Sequence, residues 1–428
     1  MKHVFRLAAF FVFALFPTEP LMALTTEEFQ SAVSKLKAGD TWNVPEGVHR
    51  DLVMKVGVSG APGKPIRIRA ATPGKTIFSG GSTVVLEGDH LVFEGFVFKD
   101  GGIPTADGHI ITVKGSFCRV SDCAFLHYNH KGKQWVRILG VSNTYSRNWT
   151  EGKTTMDPVL QIEVDKERPN DHLIEGNYFG PRPELGENGG ETMRIGYSSQ
   201  SYFVSRTAVV SNVFEACDGE VEIISVKSCR NQIRDNTFLN CLGCLTLRHG
   251  NESLVEGNIF LAANKKDSGG IRVIGAGHVI RNNLIYQCQA KLGGAIALTC
   301  AQVDFKPSGY WDVSNVLIEN NVIADTAGPA IHFSSMQNGK GGTQTILPRD
   351  LRFKNNLWVS GKAPLFAGMP GGDFAFEQNE AWGDASGLPA PSGVSIHPAV
   401  SAFDLEAYYK KIGRRPQAKK DVGPLWAR

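Results

Sequence analysis

One short pattern of apolar and polar positions returns along the second half of the chain. An apolar residue is followed by two variable positions, Asn, one variable position and a second apolar residue. It reads Ile174-Glu-Gly-Asn177-Tyr-Phe179, Val209-Val-Ser-Asn212-Val-Phe214, Ile233-Arg-Asp-Asn236-Thr-Phe238 and Val255-Glu-Gly-Asn258-Ile-Phe260. It continues as Ile280-Arg-Asn-Asn283-Leu-Ile285, Ile318-Glu-Asn-Asn321-Val-Ile323 and Phe353-Lys-Asn-Asn356-Leu-Trp358. The Asn-to-Asn steps are 35, 24, 22, 25, 38 and 35 residues.

Steps of 22–25 are too short for a βαβ unit, which needs about 30 residues. They fit one coil of a parallel β-helix, three short strands joined by tight bends, with coils stacked roughly 4.8 Å apart. The longer steps read as one coil plus an insertion carried over a rim. Asn suits the bend because its amide can bond the neighbouring coil and it tolerates left-handed φ. Alternation then turns the flanking apolar residues inward. The fold class expected is all-β, a single-stranded right-handed parallel β-helix with an N-terminal capping helix. Leucine-rich and helical repeats are excluded by the spacing, the β-branched strands and the frequent Gly.

An open stack needs covers at its ends. Residues 24–40 read as the N-terminal cap: a helix from Thr25 through Leu36, with apolar Phe29, Val33 and Leu36, ended by Gly39. Residues 361–428 lose the repeat and read as a C-terminal wrap. The whole of 24–428 is expected to be one domain. Residues 1–23 read as a signal peptide, because Lys2 and Arg6 precede the apolar run Leu7 to Phe16. The expected location is therefore periplasmic or extracellular, with no membrane span in the mature chain.

Charge narrows the partners. Lys+Arg number 45 against 42 Asp+Glu, a net charge of +3, which argues against a general nucleic-acid binder. Eight cysteines are too few for a disulfide scaffold in a chain of 428 residues. Cys241-x-x-Cys244 lacks the second pair that a zinc site needs.

The charged constellation lies in the middle coils, in Glu220-Val-Glu222-Ile-Ile-Ser-Val-Lys227. Glu220 and Glu222, two apart on a strand, point to one face. Such a pair is either solvated or holds a hard cation such as calcium between its oxygens. Lys227 lies 21 residues before Arg248, and Arg272 lies 24 beyond it, so consecutive coils should stack these three cations. A cationic column beside two carboxylates suits an anionic ligand or a metal.

These blocks resemble polysaccharide lyase family 6, which contains alginate lyases and chondroitinase B. The resemblance rests on Asn188-Gly-Gly-Glu191-Thr-Met-Arg194, Glu220-Val-Glu222-Ile-Ile-Ser-Val-Lys227-Ser228 and Leu245-Thr-Leu-Arg248-His249-Gly250. It runs from the N-terminal cap to Asp421-Val-Gly-Pro424. Val226 departs from it, standing where many relatives carry a polar residue. The resemblance implies calcium at Asn188, Glu220 and Glu222, with Glu191 a neighbouring candidate. It implies Lys227 as base, Arg248 as acid, and Arg194, His249, Arg272 and Tyr310 as residues holding the uronate chain. The implied reaction is calcium-assisted β-elimination of an anionic polysaccharide, alginate before dermatan sulfate. The other readings are a β-helix glycoside hydrolase using Glu220 and Glu222, and a non-catalytic carbohydrate-binding β-helix.

Overall fold

The computed structural model describes residues 23–105, 108–129, 133–186, 188–399 and 402–428. The signal-peptide reading of residues 1–23 lies, but for its last residue, outside them. Among the described residues the chain winds through three long parallel sheets of 13, 14 and 12 strands. Each strand pairs with the strand one coil before and one coil after it. This is the right-handed parallel β-helix expected from the repeat.

The repeated Asn residues form a continuous internal ladder. Asn212 N–H donates to Asn236 Oδ1 at 3.0 Å and the Asn212 side-chain amide donates to the same oxygen at 2.9 Å. Asn236 repeats this toward Asn258, and Asn258 toward Asn283. The ladder extends to Asn148 at one end and Asn379 at the other, both outside the repeat read from the sequence. Each side-chain amide also donates to a backbone carbonyl, as Asn236 does to Val209 at 2.9 Å. Every ladder amide is therefore satisfied while almost wholly buried.

One detail differs from expectation. The ladder Asn residues do not adopt left-handed φ; the residue before each one does, including Ser211 (54°), Asp235 (57°) and Asn282 (56°). That preceding residue turns the chain, which frees the Asn side chain to point inward along the stack. Gly176 and Gly257 fill the same position, at 61° and 64°.

Inside the coil, apolar columns run parallel to the ladder. The rings of Phe179, Phe214, Phe238 and Phe260 stack at centroid distances of 4.8, 4.9 and 4.4 Å. Burying each such side chain contributes roughly 1.5–3 kcal/mol. The N-terminal cap is the helix Thr26–Val33, with Thr25 and Glu28 forming a capping box and Phe29 and Val33 buried. It ends at Val33 rather than continuing to Leu36, which still packs partly buried on the core. At the far end strands continue past Gly361, through Phe366–Ala367 to Val394–His397. The last residues then run back along the outside of the second sheet. Gln417 N–H bonds Thr237 Oγ1, Gly423 N–H bonds Gly176 O, and Trp426 Nε1 bonds Asp122 O. All eight cysteines are unpaired, and all but Cys229 are buried.

Candidate active site

The third sheet carries the charged constellation on its outer face. Its register places Gln161, Arg194, Ser225, Thr246 and Arg272 in one row across five coils. The alternate residues Ile195, Val226, Leu247 and Val273 are buried in the core. Val226 therefore faces away from the site, and its departure from the family pattern does not alter the outer face.

Two β-bulges flank this row. Between Glu222–Lys227 and Gly243–His249 the register slips twice, so Glu222 faces Cys244 and Lys227 faces His249. Arg248 is the extra residue of the second bulge, and Arg272 pairs with Thr246. The column of Lys227, Arg248 and Arg272 expected from spacing is thus not a simple stack. The three side chains converge by displacement of the bulged strand instead, as bulges beside functional sites commonly achieve.

Glu191, from one coil, gathers with Glu220 and Glu222, from the next. One oxygen from each lies within 4.8 Å of the others, and all three side chains are buried. Glu220 precedes its strand, so it joins Glu222 through the turn before Glu222–Lys227 rather than by strand alternation. Burial, then Glu191, then Glu222 push the Glu220 carboxyl up to about 8. Glu191 Oε2 is buried without a hydrogen-bond partner. Three converging carboxylates with an orphaned oxygen form a hard, all-oxygen donor set that fits one cation such as calcium. Asn188, at φ 59°, is exposed at the rim, and its backbone N–H helps hold the Glu220 carboxyl down.

Cations flank the carboxylates. Lys227 Nζ lies 3.5 Å and Arg194 Nη1 3.6 Å from Glu191 Oε1. Arg272 Nη1 lies 3.4 Å and Arg248 Nε 3.8 Å from Glu222 Oε1, while Ser225 Oγ donates to the other Glu222 oxygen. Arg194 is fixed by Gln161 Oε1 at 2.6 Å and sits over the Tyr197 ring. Tyr310 is carried by a rim insertion to the same place. Its hydroxyl lies 3.3 Å from Arg272 Nη2, and the Arg248 guanidinium lies 4.5 Å from its ring centre.

His249 is buried, and burial followed by Arg248, Lys227 and Arg272 pulls its pKa down to about 2. Arg248 Nη1 approaches His249 Nδ1 at 3.4 Å and can only donate, so the ring proton sits on Nε2, facing Ser198 Oγ at 3.3 Å. The imidazole is a neutral donor toward its surroundings. Burial also pulls the Arg248 guanidinium below its ordinary value.

Several contributors escaped the sequence reading. Asp157 and Gln161 reach Arg194 from the preceding coil, while Tyr197 and Ser225 touch Arg194 and Glu222 from three residues along the same coil. Behind the triad, Arg182 donates to Glu191 O at 2.6 Å and Thr155 O at 2.8 Å. The buried Lys153 amine donates to Met156 O at 2.8 Å, its pKa pulled down to about 7 by burial and then by Arg182. Neither carries a local motif; only burial of a cation marks them.

The family profile described as chondroitinase B matches residues 24–367. The PL6 family alginate lyase AlyGC is similar at 32% identity and TM-score 0.84, over 94% of this chain and 58% of that one. A mannuronic acid specific family 6 lyase from human gut microbiota is similar at 27% identity and TM-score 0.80, over 94% of this chain and 96% of that one. The PL6 family lyase Pedsa3628 from Pseudopedobacter saltans is similar at 25% identity and TM-score 0.79, over 95% and 100%. The chain thus spans little more than half the length of AlyGC. Comparison with curated proteins finds no match.

Proposed function

This chain belongs to polysaccharide lyase family 6, the family of chondroitinase B and of alginate lyases, and we propose on that premise that it cleaves alginate by β-elimination. The observation carrying the proposal is the buried Glu191, Glu220 and Glu222 cluster with Lys227, Arg194, Arg248 and Arg272 packed around it. A hydrolase needs an acid–base carboxyl pair and no essential lysine. Here Glu222 is engaged by Ser225 and two arginines, which leaves it poorly placed as an acid.

Glu191, Glu220 and Glu222 would hold calcium, with Asn188 at the rim as the further ligand the resemblance implies. When bound, the ion neutralises the uronate carboxylate and so acidifies the neighbouring C5–H. Lys227 Nζ takes the C5 proton. The C–H electron pair becomes the C4=C5 double bond as the C4–O glycosidic bond breaks. Arg248 directs an N–H at the leaving oxygen, and water completes the proton delivery because a guanidinium gives up its proton reluctantly. Arg194, Arg272, neutral His249 and Tyr310 position the polyanion for this step.

The chondroitinase B profile keeps dermatan sulfate as a second substrate. Export to the periplasm or beyond is part of the proposal, resting on the pattern of residues 1–23. Among the described residues no helix is long and apolar enough to cross a membrane. The test is incubation with poly-mannuronate, poly-guluronate and dermatan sulfate, read by ultraviolet absorbance of the unsaturated product. Absorbance from alginate is expected. Absorbance from dermatan sulfate alone would move the substrate, and saturated products or binding alone would overturn the lyase.

A further inference from the structure

Each coil enters the site-bearing sheet through a turn that leaves the second sheet. Three such turns in succession follow Trp149–Glu151, Tyr178–Phe179 and Val213–Glu215. The second carries Glu191 and the third carries Glu220. Two buried cations lie inside this stack of turns, and the elimination chemistry uses neither.

Arg182, 3% exposed, stands in the second turn. Its Nη1 donates to Glu191 O at 2.6 Å, and its Nη2 reaches back to Thr155 O at 2.8 Å and Asp157 O at 3.4 Å in the first turn. It also bears on the third turn. Its backbone bridges Cys217 in parallel, and a Cβ added at Gly219 would stand 3.0 Å from its Cζ. Gly219 immediately precedes Glu220, so one guanidinium touches all three turns. Lys153, 1% exposed, braces the first of them, donating to Thr155 Oγ1 at 2.5 Å and Met156 O at 2.8 Å. That braced turn presents Asp157, whose Oδ1 lies 3.8 Å from Arg194 Nη2.

Among the described residues no carboxylate pairs with Arg182 or Lys153. Carbonyls and one hydroxyl are their only acceptors, and Arg182 Nε is buried with none. Burying such charges costs stability, and apolar side chains would fill the same space more cheaply. Stability alone therefore does not account for them. What Arg182 adds is a grip on the main chain beside two carboxylates that repel each other and would drift apart without a cation.

We propose that Arg182 is a positioning residue for the carboxylate cluster, holding the Glu191 and Glu220 turns in place before a cation arrives, with Lys153 stiffening the turn against which it pulls. The proposal rests on the reading that Glu191, Glu220 and Glu222 hold a divalent cation. Its gain is preorganisation: less of the binding free energy goes into gathering the ligands.

Arg182→Met, Arg182→Lys and Lys153→Met are compared by calorimetric calcium titration of the chelator-treated protein and by hydrogen exchange read by mass spectrometry. Calcium affinity should fall roughly 10–100-fold in Arg182→Met, the range for losing a group that supports a metal ligand. Arg182→Lys should fall nearly as far, because an ammonium keeps the charge and loses the fork. Lys153→Met should weaken binding less. Exchange should rise around residues 155–157 and 188–193 while the ladder around Asn236 and Asn258 keeps its protection. Unchanged calcium affinity in the Arg182 variants, full affinity in Arg182→Lys, or exchange rising evenly along the rod would each overturn the proposal. Should Arg182→Met fail to fold, Arg182→Lys retains the buried charge and decides. Should the wild type bind no calcium, the cation reading fails separately and exchange still decides. A rise confined to 155–157 and 188–193 then supports Arg182 as the positioning residue, and no rise there overturns it.

Discussion

Glu191 divides its carboxylate between two tasks: Oε1 lies 3.5 Å from Lys227 Nζ, while buried Oε2 has no hydrogen-bond partner. The same side chain therefore steers the proposed base and leaves an oxygen available to a cation beside it. In the proposed mechanism, proton abstraction and carboxylate neutralisation would be coupled through this one residue.

Calcium affinity should report this arrangement directly. Glu191→Ala and Glu222→Ala are each expected to weaken calcium binding by about tenfold or more, as loss of a charged ligand does. Asn188→Ala should weaken it less, because that side chain is exposed at the rim. Isothermal titration of the chelator-treated protein measures all three, and a larger loss from Asn188→Ala would reassign the third ligand.

Lys227→Ala should lower kcat by roughly 10²–10⁴-fold, the range of a general base, with oligosaccharide binding largely intact. Lys227→Arg should fail equally, since a guanidinium does not deprotonate near neutral pH. Retained activity in the arginine variant, with only KM raised, would make Lys227 an electrostatic anchor.

Asn236→Ala removes both the acceptor for Asn212 and the donor to Asn258 and Val209. Each buried group left unpaired costs about 1–3 kcal/mol, so a destabilisation of roughly 3 kcal/mol or more is expected in urea titration. Substitution of Asn379, at the end of the ladder, should cost less. Equal costs at the two positions would show that the ladder does not act through its interior bonds.

The ladder shows what the sequence carries and what it does not. Asn212, Asn236 and Asn258 were legible because each returns with the same apolar flanks at nearly one coil length. Asn148 was not, since Thr150 stands where the second apolar flank would be; Asn379 keeps the flanks, in Phe376-Glu-Gln-Asn379-Glu-Ala381, 23 residues after Asn356, and is obscured only by the loss of the repeat around it. Glu220, Glu222, Lys227 and Arg248 could be grouped from their spacing. Their actual register could not, because the bulges at Ile223 and Arg248 depend on how side chains of successive coils fit. Glu191 lay in a recognisable motif, yet its convergence with Glu220 is set by coil stacking.

Acid should destabilise the fold through His172 and His278. Both are buried, and burial is the main cause holding each at about 4, below the ordinary histidine value. The unfolded chain then binds more protons between pH 6.5 and 4. Stability is full above that window and is lost as pH falls through it, on the order of 3 kcal/mol for each histidine. Thermal melts across the window should show the fall, and His278→Gln should make it shallower. A flat profile in the wild type would contradict the buried neutral assignment.

Within the sheets each strand pairs only with the coil before and the coil after it, which gives the molecule a position-dependent resistance to opening. Fraying that begins at Thr41–Val44 or at Val394–His397 must melt several complete coils before it reaches Glu222. The terminal coils act as sacrificial buffers, and the reacting groups sit at the depth where local opening approaches global unfolding. The cleft proposed to hold a polyanion is thereby anchored in the part of the rod least able to yield.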